Sequence, residues 1–252
     1  MRDNMWGTGA KVSIGLSIVA FFGFISGWFL QEYDADIEFK SEASDILDIL
    51  RLHDGAVVAD LWAGDGRWSI EIAQDVGPQG EVFVVAGPED PISTIYQAVA
   101  DARLENVTLL AEAPFDTFGL SESCCDAILV RRVYHHWTNR PRAIEHLYRD
   151  LRPGGRLVVI DFDVGTENER TGHGIDDQIV TDELLDAGFE LAQFMERWTD
   201  GAYCAVFRRP VKIGIPGSTE EAPLDVYRPL MTRHDGAGRD PRARPIVLVD
   251  PT

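Results

Sequence analysis

Between residues 57 and 162, short runs of almost unbroken apolar character alternate with stretches of helical period. The runs are VVADL (57–61), EVFVVA (81–86), NVTLLA (106–111), CDAILV (125–130) and RLVVIDF (156–162), and the helix-like stretches lie at 67–76, 91–104 and 140–151. A strand that is apolar on both faces has to be covered on both. Strand–helix alternation of this kind therefore specifies an α/β fold, a doubly wound parallel sheet with helices on each side. A helix at 181–187 and strands at 189–195 and 202–208 follow, the last two placed to pair as a hairpin through Thr199, Asp200 and Gly201. Ahead of the first strand, SEASDILDILRL (41–52) has a serine and acidic start and then helically spaced apolar residues, which predicts an amphipathic helix.

The two ends differ from this pattern. From Val12 to Leu30 nineteen residues carry no charge, and as a helix they span about 28 Å, the thickness of a bilayer core. This predicts one transmembrane helix. Gly23 and Gly27 form a GxxxG in it, so a transmembrane partner is expected on that side. Arg2 and Lys11 precede the span and Glu32, Asp34, Asp36 and Glu38 follow it, which leans toward a cytoplasmic N-terminus with the domain on the periplasmic or lumenal side. From Pro210 onward seven prolines fall in 43 residues, and this reads as an extended arm that lies over its own domain or binds a partner. The organisation expected is a short segment at 1–11, a transmembrane helix at 12–30, a linker with amphipathic helix at 31–52, the α/β domain at 53–209 and the arm at 210–252.

Charge and cysteine content narrow the functions. A net charge of −19 over 252 residues repels phosphates, which argues against nucleic acid and against attachment to a membrane through a basic face. Cys124, Cys125 and Cys204 show no disulfide framework or zinc spacing and read as small buried apolar residues. In a doubly wound sheet the ligand sits beyond the carboxyl ends of the strands, where strand order reverses, and the first strand–turn–helix makes the contact. Here that turn is DLWAGDG, Asp60 to Gly66, in which Gly64 and Gly66 let backbone approach a ligand.

The turn is part of a longer resemblance. VVADLWAGDGRWSIEIAQDVGPQGEVFVV, then ENVTLL, then CDAILVRRVYHHWTNRPRAIEHLYRDLRPGGRLVVIDF, then GHGI and TDELLDAGFEL, resemble the class I S-adenosylmethionine-dependent methyltransferases in order and spacing, over about residues 42 to 209. The resemblance implies a Rossmann-like sheet of seven strands with the last antiparallel. It also implies S-adenosylmethionine as cofactor, with Asp60, Gly64 and Gly66 at the first turn and Glu112 near the adenine. Two positions depart from the family. Trp62 stands where the first glycine of the turn belongs, crowding the methionine end of the cofactor, and Ala86 stands where a carboxylate usually grips the ribose, with Glu89 and Asp90 displaced by three or four residues.

Candidates for moving a proton are Tyr134, His135 and His136 after the fourth strand. Asp161 and Asp163 end the fifth, and His173 lies in the next loop, but the spacing of these groups gives no support for a metal site. Arg131 and Arg132 are expected to pair with nearby carboxylates. Two functions are consistent with these residues. The favoured one is a membrane-anchored, non-catalytic methyltransferase-like protein, its cofactor site degenerate at Trp62 and Ala86 and its cofactor lost, serving as an accessory or structural subunit of a membrane complex such as a respiratory or photosynthetic one. The alternative is an active S-adenosylmethionine-dependent methyltransferase acting on a lipophilic small molecule or a membrane-associated substrate.

Overall fold

The structure, a computed structural model, describes residues 37–110, 117–164 and 174–211. The chain divides into two compact units, Met1–Asp48 and Ile49–Thr252. In the first, residues 37–48 are helical (α1). The helix expected at 41–52 is thus present and begins earlier; helical backbone ends at residue 50, before Arg51 takes a φ of +50°.

The second unit is built on a single seven-stranded sheet. In chain order its elements are β1 (Val57–Leu61), α2 (Arg67–Asp75), β2 (Glu81–Val85), α3 (Ile92–Asp101), β3 (Val107–Leu110), β4 (Cys125–Arg131), α4 (Arg140–Asp150), β5 (Leu151–Phe162), α5 (Asp177–Asp186), β6 (Glu190–Met195) and β7 (Ala202–Arg208). The strand order is β3-β2-β1-β4-β5-β7-β6. β7 runs antiparallel to both neighbours, and the other pairs are parallel. The chain steps outward from β1 to β2 and β3, then returns to lay β4 against the other side of β1. That reversal opens a crevice beyond the carboxyl ends of β1 and β4.

Burial explains the sheet. Leu61, Ile128, Leu129, Leu157 and Val159 are wholly removed from solvent, and Ala143, Ile144 and Leu147 turn one stripe of α4 into the same core. β5 begins at Leu151, five residues earlier than its apolar run. The β4–β5 register shifts between Cys125 and Ala127, which takes up the Pro-Gly-Gly turn. Gly155 is required there, because a Cβ would lie 2.8 Å from Leu151 Cδ1 and 2.9 Å from the Asp126 carbonyl oxygen. α5 also starts early, at Asp177, because the Asp176 carboxylate accepts from the Gln178 N–H at 2.8 Å and caps the first turn.

Two expectations change. Cys204 is buried as a small apolar residue, but Cys124 and Cys125 are joined to each other as a disulfide between chain neighbours, a pairing that sequence separation alone does not announce. Among the described residues no helix is long and apolar enough to cross a membrane, so the single-pass localisation is corrected. The segment on which it rested, 12–30 with Gly23 and Gly27, lies outside the described residues, as do Glu112, His173 and positions 212–252 of the arm.

Candidate active site

At the end of β1 the backbone turns through three residues of left-handed conformation: Trp62, Gly64 and Gly66 have φ of +55°, +61° and +83°. The Trp62 N–H still donates to the Val85 carbonyl at 2.7 Å, so the tryptophan extends the β1–β2 pairing by one bond. A Cβ built on Gly64 meets nothing within 4 Å, and its backbone faces open space. That space is a cavity of about 660 Å³ whose walls include Asp60, Trp62, Gly64, Glu89, Arg131 and His136. Its size falls in the range of sites that hold cofactor-sized molecules.

Asp60 is 2% exposed and accepts a 2.6 Å hydrogen bond from the Ser69 hydroxyl. Burial pushes its pKa up to about 6, with the Ser69 bond and the Arg131 charge opposing the shift. The result is a carboxylate that is ionised at neutral pH and held in low dielectric, well suited to a cationic or hydrogen-bond-donating ligand group.

Trp62 does not close the cavity. Its ring lies against Gly87, where an added Cβ would be 2.9 Å from Trp62 Cγ. The extra bulk at position 62 is matched by missing bulk at 87, a compensation between residues 25 positions apart that no local spacing reveals. Ala86 is buried at the end of β2. Of the two displaced carboxylates, Asp90 accepts from the Gly87 N–H at 2.7 Å and stabilises this turn, while Glu89 is exposed on the cavity wall.

At the end of β4, Tyr134–His136 form one 3-10 turn that directs the three side chains differently. Tyr134 is fully buried and donates to Glu183 Oε2 at 2.7 Å. Arg140 holds the same carboxylate from Nε and from a terminal nitrogen, each at 2.9 Å. Burial and the adjacent Glu183 push the Tyr134 phenol well above its ordinary range. Tyr134 therefore packs beneath the turn, and its place among the cleft residues is corrected. His135 Nδ1 lies 2.7 Å from Asp161 Oδ1, and its backbone N–H donates to Oδ2 at 3.1 Å. Asp161, with no exposure, also accepts from the Phe162 N–H at 2.8 Å. With Asp161 as acceptor, Nδ1 is the protonated nitrogen of His135. His136 is exposed on the cavity wall, its ring 3.9 Å from that of His135 and 6.3 Å from that of Trp62. Arg132 pairs with Asp200 at 2.9 Å, as expected, whereas Arg131 lies 4.3 Å over the Trp68 ring and lines the cavity.

A family profile described as a methyltransferase domain matches residues 52–200. The chain belongs to the class I S-adenosylmethionine-dependent methyltransferases. Within that family it is 28% identical over 119 residues to a demethylmenaquinone methyltransferase of Listeria monocytogenes, a match covering 46% of this chain and 48% of that protein. It is 31% identical over 124 residues to the ubiquinone/menaquinone biosynthesis C-methyltransferase UbiE of Blochmanniella pennsylvanica, covering 49% and 48%. The chain thus spans about half the length of the curated relatives it matches. Among solved structures, an Aquifex aeolicus SAM-dependent methyltransferase superposes with a TM-score of 0.60 at 20% identity, covering 66% of this chain and 89% of that one. The [4+2]-cyclase SpnF superposes at 0.57 with 16% identity, covering 67% and 80%. These likenesses establish the methyltransferase fold, and the second illustrates that the fold alone does not name a reaction. The curated relatives are named as enzymes.

Proposed function

We propose that this methyltransferase-family chain is catalytically active and uses S-adenosylmethionine to methylate a small, planar, lipophilic acceptor of the quinol or phenol class. The observation that carries this reading is the cavity itself, which remains open despite Trp62 because the indole rests on Gly87. Its donor set suits the cofactor. Asp60 would be a buried anion for the ammonium, the open Gly64 backbone would leave room for the methionine portion, and Glu89, exposed on the cavity wall, is the carboxylate that would meet the ribose hydroxyls. Bound S-adenosylmethionine supplies an electrophilic methyl group on a sulfonium. The names of the relatives, which act on demethylmenaquinone or in ubiquinone and menaquinone biosynthesis, and the aromatic wall of Trp62, Trp68 and His136 support an aromatic acceptor.

Bound there, the cofactor would supply the methyl group, and the acceptor that takes it would have a proton to lose. His136, on the cavity wall, takes that proton and later releases it to water. His135 is a positioning residue: Asp161 holds its ring through Nδ1 and its backbone through the N–H, and its ring contact orients His136. Positioning of the two reactants provides the rest of the acceleration.

The test is calorimetric titration of the full chain with S-adenosylmethionine, followed by mass-spectrometric detection of methyl transfer to a naphthoquinol or simple phenols. Micromolar binding and a product heavier by one methylene are expected. Binding no tighter than millimolar would return the chain to a non-catalytic role.

A further inference from the structure

Away from the active-site cavity, α4 and α5 leave between them a groove of about 450 Å³, with Pro141, Ile144, Tyr148 and Ala187 as its floor and Glu145, Glu183 and Asp186 on its rim. Glu183 is engaged by Tyr134 and Arg140, while Glu145 and Asp186 are exposed. The described chain ends beside this groove. The Arg209 guanidinium stacks 4.8 Å over the Tyr148 ring. It also donates to the Arg149 carbonyl at 3.1 Å and to that of Leu151, so the exit point is fixed against a groove wall.

We propose that this groove is the docking site of the chain's own residues 239–249, RDPRARPIVLV, with Ile246 to Val249 on the apolar floor and Arg242 and Arg244 against Glu145 and Asp186. In a chain of net charge −19, this stretch sets three arginines against one aspartate directly before four aliphatic residues. An apolar floor with an acidic rim is the complementary surface: the floor takes the aliphatic run and the rim takes the cations. Reach is ample. The 27 residues between Val211 and Arg239, treated as a coil, have an end-to-end distance of about 29 Å, enough to return to a helix pair beside the exit point. Tethering gives the segment an effective concentration on the order of millimolar, so contacts too weak to hold a free peptide suffice.

Hydrogen–deuterium exchange on the full chain tests the assignment. Amides of 246–249 should exchange at least tenfold more slowly than in an unstructured peptide of that sequence. The arm variant R242E/R244E should remove that protection and so should the groove variant E145K/D186K, while the combination of all four changes, which reverses both sets of charges, should restore it. Exchange from β4 serves as the control for folding, and the arm variant leaves every described residue unchanged. Protection absent in the unmodified chain overturns the proposal. So does protection indifferent to E145K/D186K, which would put the segment elsewhere, or protection lost on hundredfold dilution, which would mean that the groove is filled by a second copy.

Discussion

The two halves of the cavity are held by different means. On the β1–β2 side, the wall is backbone and packing: glycine turns, an indole against Gly87, and one buried carboxylate hydrogen-bonded by Ser69. On the β4–β5 side, it is a hydrogen-bonded set in which Asp161 receives three contacts and Glu183 gathers Tyr134 and Arg140. The first arrangement tolerates substitution when volumes are exchanged between neighbours, because packing responds to total space. The second does not, because a buried donor without its acceptor has no substitute nearby. The family's usual residues are altered on the first side, at Trp62 and Ala86.

Asp161→Ala probes this contrast most severely. It strips the acceptor from the His135 ring, the His135 N–H and the Phe162 N–H at a site with no solvent. We expect a loss of about 3 kcal/mol or more in denaturant unfolding and a hundredfold or greater fall in methyl transfer. Intact stability would show that the β4–β5 side is not a network at all.

On the other side, Asp60→Asn should weaken cofactor binding tenfold or more by calorimetry, as one charge-assisted contact is lost. The pH dependence sharpens this. The Asp60 pKa is about 6 in the folded chain against 3.8 in the reference state, so the folded form holds a proton that the unfolded form has released. Its stabilising contribution is full below about pH 4 and is lost as pH rises through about 6, roughly 3 kcal/mol in total. Cofactor affinity should change the other way, increasing through pH 6 as the carboxylate ionises. Asp60→Asn should flatten both curves, and a wild-type affinity unchanged between pH 5 and pH 8 would remove Asp60 from the binding group.

Volume exchange is tested by Gly87→Ala, whose methyl would sit 2.9 Å from Trp62 Cγ and push the indole into the cavity. About a tenfold weaker dissociation constant is expected, with the double variant Trp62→Gly/Gly87→Ala back within about threefold of wild type. Additive losses in the double variant would mean that the two residues are not a matched pair. The smallest effect belongs to Tyr134→Phe. Loss of its bond to Glu183 should cost about 1 kcal/mol of stability and leave turnover within twofold, whereas a large fall in turnover would return Tyr134 to the catalytic group.

Much of this was legible in the sequence, and the reasons are local. Continuous apolar runs identify strands covered on both faces, and β1 to β4 begin and end within one residue of the runs that mark them. Asp60, Gly64 and Gly66 are readable because they are adjacent in the chain and their chemistry is that of a single turn. The shifted starts of β5 and α5 were harder, since one depends on a register change against β4 and the other on a cap by Asp176.

What the sequence by itself determined, then, is the α/β sheet, the position of the ligand crevice and the family, because each follows from periodicity or from short-range motifs. Only the tertiary structure decided what the unusual residues mean. Trp62 reads as an obstruction until Gly87 is seen beside it, and Tyr134, His135 and His136 read as one cluster until the turn sends the first to Glu183, the second to Asp161 and the third to the cavity. These outcomes depend on residues brought together from 25 to 49 positions apart, and spacing along a chain carries no information about which distant side chain will fill a given space or accept a given proton.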